Sequence, residues 1–208
     1  MPHKFAQIAF TNNVRQVQIE HNSRSSYAKL DEREDCNFLL SEREAEFIAQ
    51  RDSFYMASVS ETGWPYVQHR GGPKGFLRIL NASTLGFLDF KGNKQYVSTG
   101  NFRTNNRVSL FFMDYPNKRR LKLLGRINTV PADDWETLTS LDLDNYNAQA
   151  ERAFTIHVEA FDWNCPQHIT PRYSEEEMES RLTPLINEIE ALKKRLEQTS
   201  FPHEHNWK

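Results

Sequence analysis

The densest group of residues with chemical potential is Gln68-His69-Arg70-Gly71-Gly72-Pro73-Lys74-Gly75-Phe76, which holds three glycines, a proline and two cations. Glycines let a backbone approach a ligand closely, exposed N–H groups can form an anion nest, and Arg70 and Lys74 supply positive charge. A phosphate, or the polar edge of a flat heterocycle, suits that combination. A glycine-rich strand connection with solvated cations gives the same signal, because Gly/Pro clusters are chiefly turn signals. The segment matches neither a Walker A loop nor G-x-G-x-x-G.

A second group is Asp89-Phe90-Lys91-Gly92-Asn93-Lys94-Gln95-Tyr96. Asn93 is placed to cap a helix whose first turn holds Lys94 and Gln95, and a helix N-terminus beside a cation attracts anions. The third group is basic: Lys118, Arg119, Arg120, Lys122 and Arg126. On a regular strand Lys122 and Arg126 share a face. A solubilising barrel rim, a ligand-facing Arg120 or Lys122, and a nucleic-acid contact are the three readings open to it.

Other chemistries find little support. No G-x-S-x-G occurs, and Cys36 and Cys165 lie far apart with neither a CxxC nor a partnering His pattern. Reduced, separate thiols are the expectation. His157 falls in a strand and reads as packed and hydrogen-bonded; His203 and His205 sit in a polar tail.

The elements that must hold these groups fall into three zones: 1–52, 53–173 and 174–208. The first is polar and helical in tendency, with a capping box from Ser41 and Glu44 ahead of Phe47 and Ile48, and a charge run from Asp31 to Asp35. The second changes to period two and β-formers. Its strands run over 54–60, 64–69, 76–80, 85–90, 107–115, 119–130 and 154–163, with a turn at Glu61-Thr62-Gly63 and a short helix from Asp133 to about Leu141. Pro65 marks the second strand as an edge. Six or seven antiparallel strands with helical insertions predict a small closed barrel, mainly β of the α+β class, and not a βαβ fold.

In the third zone Ser174 and Glu177 form another capping box. Met178, Leu182, Leu185, Ile189, Leu192 and Leu196 then recur at alternating four- and three-residue steps, a heptad seam. Pro184 is expected to kink or restart this helix, with Thr183 as a cap. The seam packs on the barrel or on a partner subunit.

With 208 residues, one domain with appendages is expected, and 14 Phe, 7 Tyr and 4 Trp are enough for its core. A net charge of −2 implies no general affinity for nucleic acid or anionic membrane. No apolar run reaches the ~18–20 residues of a membrane span, and the N-terminus has no signal-peptide pattern, so a cytoplasmic protein is expected.

The order of these motifs resembles a known family. Phe54-Tyr55-Met56-Ala57-Ser58, Gly63-Trp64-Pro65 and Arg70-Gly71-Gly72-Pro73-Lys74-Gly75-Phe76 come first. Gly92-Asn93-Lys94-Gln95 with Gly100-Asn101, Asn105-Asn106-Arg107-Val108, and Leu123-Leu124-Gly125-Arg126 follow. Together they resemble the pyridoxamine 5′-phosphate oxidase-like, FMN-binding split-barrel proteins. Asp162-Trp163-Asn164-Cys165-Pro166-Gln167-His168 looks like a branch of that group described only as flavin-binding. The resemblance covers about residues 35–173.

It implies a split barrel with flanking helices and a homodimer holding FMN between its subunits. By position, Arg70, Gly71, Gly72 and Lys74 would lie near the first flavin-contacting strand, and Lys94 and Gln95 near the phosphate. Leu88 and Asp89 would present backbone groups to the isoalloxazine edge, and Arg120 and Lys122 would come from a strand near the cleft, in one reading that of the other subunit. The implied activity is hydride transfer through flavin N5 to or from a small substrate, with a reduced nicotinamide as one possible donor. A non-catalytic flavin carrier or sensor is the alternative.

The chain also departs from the authentic oxidases. Their Arg-apolar-apolar-Leu-Leu-Lys strand is replaced by the glycine-rich segment, and Arg181-Leu182-Thr183-Pro184 sits in a Glu-rich helix instead of after a Trp-bearing strand. Pyridoxamine phosphate oxidation is therefore not the implied reaction.

Overall fold

Alternating burial along the chain builds the central sheet. In the computed structural model, which describes residues 3–32, 36–143, 146–163 and 165–199, seven strands form. They are β1 (Ser53–Val59), β2 (Pro65–Gly71), β3 (Arg78–Asn81), β4 (Thr84–Phe90), β5 (Arg107–Asp114), β6 (Arg119–Thr129) and β7 (Ala150–Trp163). The described helices are α1 (Lys4–Ala9), α2 (Asn12–Glu20), α3 (Arg24–Glu32), α4 (Glu42–Ala49), α5 (Val97–Phe102), α6 (Trp135–Ser140) and α7 (Glu175–Thr199). Arg33 to Asp35 of the charge run, Asn164, and His203 with His205 lie outside the described residues.

All strand pairs are antiparallel, in the order β2-β1-β5-β6-β7-β4-β3. Phe54 and Met56 of β1, Leu110 and Phe112 of β5, Leu121 and Leu123 of β6, and Phe154 and Ile156 of β7 all point into one core. Phe54 also meets Phe87 of β4 edge-on, with centroids 5.6 Å apart, and stacks with Phe76 at 5.7 Å. β1 and β4 stand far apart in the strand order, so these contacts show that the sheet curls around its own aromatic filling. A bulge between Leu124 and Gly125 assists the curl, and a Cβ at Gly125 would lie 2.7 Å from the His157 carbonyl oxygen.

The barrel is open, not closed. β2 is an edge strand beginning at Pro65, and β3 has only four residues, its register with β4 ending at Arg78↔Gly86. No strand pairing joins the two edges of the described sheet. Proline lacks the N–H that continuing the ladder requires, and a four-residue strand offers little to pair with.

Helix α4 seals one end of the core. The Ser41 N–H donates to Glu44 Oε2 at 3.1 Å to complete the expected capping box, and Phe47 and Ile48 are buried in the core. Phe47 packs edge-on against Trp163 at 4.7 Å, and Trp163 Nε1 donates to Glu44 Oε1 at 2.7 Å. Contrary to the packed reading, His157 is exposed on β7. Cys36 and Cys165 are both exposed free thiols.

The chain divides into two compact units, Met1–Asp114 with Lys118–Gln167, and Tyr115–Asn117 with His168–Lys208. In the second unit α7 begins at the expected capping box, Ser174 N–H to Glu177 Oε2 at 2.8 Å and Glu177 N–H to Ser174 Oγ at 3.2 Å. The helix does not restart at Pro184: it runs through, and the Thr183 hydroxyl donates to the Glu179 carbonyl at 2.9 Å instead of capping. No helix in the described residues is long and apolar enough to cross a membrane.

Candidate functional site

Three separate segments converge beside the open seam of the barrel. On β2, period-two alternation turns Tyr66, Gln68 and Arg70 to the less exposed face and Val67 and His69 to solvent. On β4, the same alternation puts Asp89 on the face of Leu85 and Phe87, where it is buried. The Arg70 guanidinium donates to Asp89, joining edge strand β2 to β4, the sixth of the seven strands in order. The Arg70 side chain is only 12% exposed, and its buried Nε has no acceptor among the described residues.

Asp89 serves a second cation. Arg152 of β7 is its direct cross-strand partner and approaches Asp89 Oδ2 with Nε at 3.6 Å. Arg152 also donates to Thr99 Oγ1 at 3.1 Å and to Glu151 Oε2 at 3.2 Å, and lies over the Tyr96 ring at 4.8 Å. The Tyr96 hydroxyl donates to Glu151 Oε1 at 3.0 Å, and this bond first of all pushes the phenol pKa upward.

The third segment is the loop from Lys91 to Tyr96. Asn93 does not cap a helix as expected. Its Oδ1 accepts the Gln95 N–H at 3.2 Å in a local Asx turn, and α5 begins only at Val97 after Tyr96. Lys94 and Tyr96 both take the left-handed conformation, with φ of 59° and 53°. For non-glycine residues this costs roughly 1–3 kcal/mol each, so surrounding contacts must hold the loop. Ser98 Oγ donates to Gln68 Oε1 at 2.9 Å, and Asn101 Nδ2 to Ser58 Oγ at 3.0 Å, fixing α5 against β2 and β1.

Between these segments lies a pocket of about 220 Å³, lined by Arg70, Asp89, Asn93, Lys94, Tyr96 and Glu151 among others. The lining cations Arg70 and Lys94 balance the lining carboxylates Asp89 and Glu151, and Arg152, which contacts Asp89 and Glu151 from outside the lining, makes the wider group positive. A larger cavity of about 730 Å³, which includes Arg103, Asn106 and Arg152, shares Thr99 and Glu151 with the pocket. A ligand longer than the small pocket therefore has room to continue. Beyond Gly86 the β4 edge away from β7 has no strand partner in the described sheet, which leaves backbone hydrogen-bonding capacity beside Leu88 and Asp89.

The other residues expected at a site are placed differently. In the glycine-rich segment the Gly72 N–H donates to the Asp52 carbonyl at 2.9 Å, Gly75 to Arg51 at 3.1 Å, and Phe76 to Pro73 at 2.9 Å. These donors build a corner and form no anion nest. Gly71 ends β2, Lys74 lies exposed on that corner, and the Leu88 side chain packs on the Val130–Leu141–Ala153 cluster. Gln95 is exposed beside the pocket without lining it. Arg120 and Lys122 face away from the core on β6: Lys122 pairs with Asp162 at 3.0 Å and lies over Phe5, and the buried Nε of Arg120 has no acceptor among the described residues. Within one chain they do not join Arg70 and Lys94.

The fold and site define an open antiparallel barrel with a pocket bearing Arg70 and Lys94 beside its seam. Residues 40–163 match the family model for pyridoxamine 5′-phosphate oxidase, more than half of the chain, and the chain belongs to that family. Among solved structures it is similar to HupZ of Group A Streptococcus, at 13% identity over 65% of this chain and 100% of that one, with a TM-score of 0.49. It is also similar to an FMN-binding protein from Syntrophomonas wolfei subsp. wolfei, at 12% identity over 71% of this chain and 97% of that one, TM-score 0.48. HutZ, a heme storage protein from Vibrio cholerae, matches at 15% identity over 60% and 94%, TM-score 0.41. No curated protein matches the sequence.

Proposed function

We propose that the protein binds FMN beside the barrel seam, as an FMN-dependent oxidoreductase of the pyridoxamine 5′-phosphate oxidase-like class acting on a small molecule. The observation that carries this reading is the meeting of Arg70 and Lys94 on one pocket, with Arg152 held on Asp89 behind it and the buried Arg70 Nε left without an acceptor among the described residues. A buried unpaired donor is costly, by about 1–3 kcal/mol, and an anionic group would satisfy it. Arg70 and Lys94 would hold the phosphate, with Lys74 and Gln95 at the pocket's margin. The unpaired edge at Leu88 and Asp89 would receive the polar edge of the ring. Gly71 and Gly72 shape the corner that aims Arg70. Arg120 and Lys122 would contribute from the partner subunit of a homodimer. When bound, FMN supplies hydride chemistry at N5, while the protein positions and tunes the ring.

A second reading, a non-catalytic flavin carrier or sensor, is favoured by one specific observation. Both carboxylates in the pocket are already engaged, Asp89 with Arg70 and Arg152, and Glu151 with Arg152 and Tyr96. Neither is offered as a proton donor or acceptor to a substrate. Anaerobic mixing of the FMN-loaded protein with NADH or NADPH separates the two: bleaching of the flavin bands supports the oxidoreductase, and failure with every nicotinamide donor supports the carrier or sensor.

A further inference from the structure

The heptad seam of α7 stands outside the chemistry described so far. Met178, Leu182, Leu185, Ile189 and Leu192 are each between 39% and 55% exposed on a helix of 25 residues. In heptad terms Leu182, Ile189 and Leu196 take the a positions, and Met178, Leu185 and Leu192 the d positions. In parallel coiled coils a β-branched residue at a with Leu at d favours two strands, and Ile189 at a between Leu185 and Leu192 at d carries that pattern. Pro184 falls at c, on the outer side, so the hydrogen bond it forfeits is away from the seam.

The flanking charges choose the partner and its direction. In a parallel, in-register pair, Glu188 at g faces Lys193 at e of the second helix, and symmetry gives this attraction twice. Arg181 at g faces the neutral Ile186. An antiparallel pair that overlaps all six seam residues would set Arg181 against Arg195 twice and Glu188 against its own copy on one flank, three repulsions against the two Glu179–Lys193 attractions on the other. Like charges at these positions are destabilising. We infer that α7 docks on α7 of a second copy of this chain as a parallel, in-register, two-stranded coiled coil. The inference stands apart from flavin binding, since none of these residues lines the pocket.

Disulfide trapping in the full-length protein tests it. In a Cys36→Ser, Cys165→Ser background, Leu192→Cys places thiols at facing d positions, whereas Asn187→Cys places them at f on the outside. Each variant is incubated with oxidised glutathione and followed on non-reducing gels. Facing thiols share an effective concentration of about millimolar, so Leu192→Cys should form covalent dimer at least ~10-fold faster than Asn187→Cys. Added Glu188→Lys should slow that reaction several-fold, and Glu188→Lys with Lys193→Glu should restore it. Circular dichroism on each variant confirms that the helix persists. Equal rates for the two cysteine variants would overturn the inference, as would cross-linking of a Leu182→Cys and Leu192→Cys mixture without any Leu192→Cys homodimer. Indifference to charge reversal would overturn the parallel register.

Discussion

At the residue scale the site rests on one buried carboxylate shared by two guanidinium groups. Asp89 holds Arg70 and Arg152 in place before any ligand arrives, which reduces the ordering cost of binding. Arg70→Ala and Lys94→Ala should each weaken FMN by on the order of 1–3 kcal/mol, or roughly 5- to 150-fold, in a fluorescence-quenching titration. Undiminished affinity in both variants would place the phosphate elsewhere. Arg70 and Lys94 were legible as cations among glycines and turn residues. Arg152 was not, because it precedes the strand expected over 154–163, and it gains meaning only from the longer β7 and the β4–β7 register that sets it opposite Asp89.

Glu44 supplies a pH dependence at the same scale. Burial alone would raise its pKa, but hydrogen bonds from Ser41 and Trp163, with backbone donors, outweigh that and hold it below the ordinary value of 4.5. A carboxylate depressed in the folded state adds stability above its unfolded pKa and loses it as pH falls through the folded one. The stability gap between wild type and Glu44→Gln should therefore be largest near neutral pH and shrink below about pH 4, as read by urea unfolding at a series of pH values. A gap independent of pH would refute this.

At the scale of elements, β1, β2, β5 and β6 were readable because they alternate inward and outward side chains, while the short β3 does not alternate; the capping boxes at Ser41 and Ser174 form as written. Asn93 shows why a helix start was misplaced. A side chain that can cap a helix can equally close an Asx turn, and here the Gln95 N–H is taken locally, so the helix waits until Val97. The glycine-rich corner likewise joined two meanings. A Cβ on Gly72 would lie 2.7 Å from Phe76 Cγ, inside the stack that Phe76 makes with Phe54, whereas one on Gly92 would meet nothing within 4 Å. Gly72→Ala should destabilise the protein by about 1–3 kcal/mol in denaturant unfolding, and Gly92→Ala should leave stability within about 0.5 kcal/mol. Equal effects would remove the packing role assigned to Gly72.

At the scale of the whole molecule, the strand count and antiparallel class followed from sequence pattern, but closure did not. Whether a sheet seals depends on which strands become edges, and only the assembled order shows β2 and the short β3 left unpaired with each other. That opening leaves an unpaired stretch of β4 and brings Arg70 to Asp89 beside a pocket. The low net charge of −2 hides this local excess of cations. The most direct test is the visible spectrum of the purified protein after incubation with FMN and removal of free ligand. Flavin absorption bands should remain with the wild-type protein and fall sharply in the Arg70→Ala, Lys94→Ala double variant. A wild-type protein that emerges colourless would contradict FMN binding.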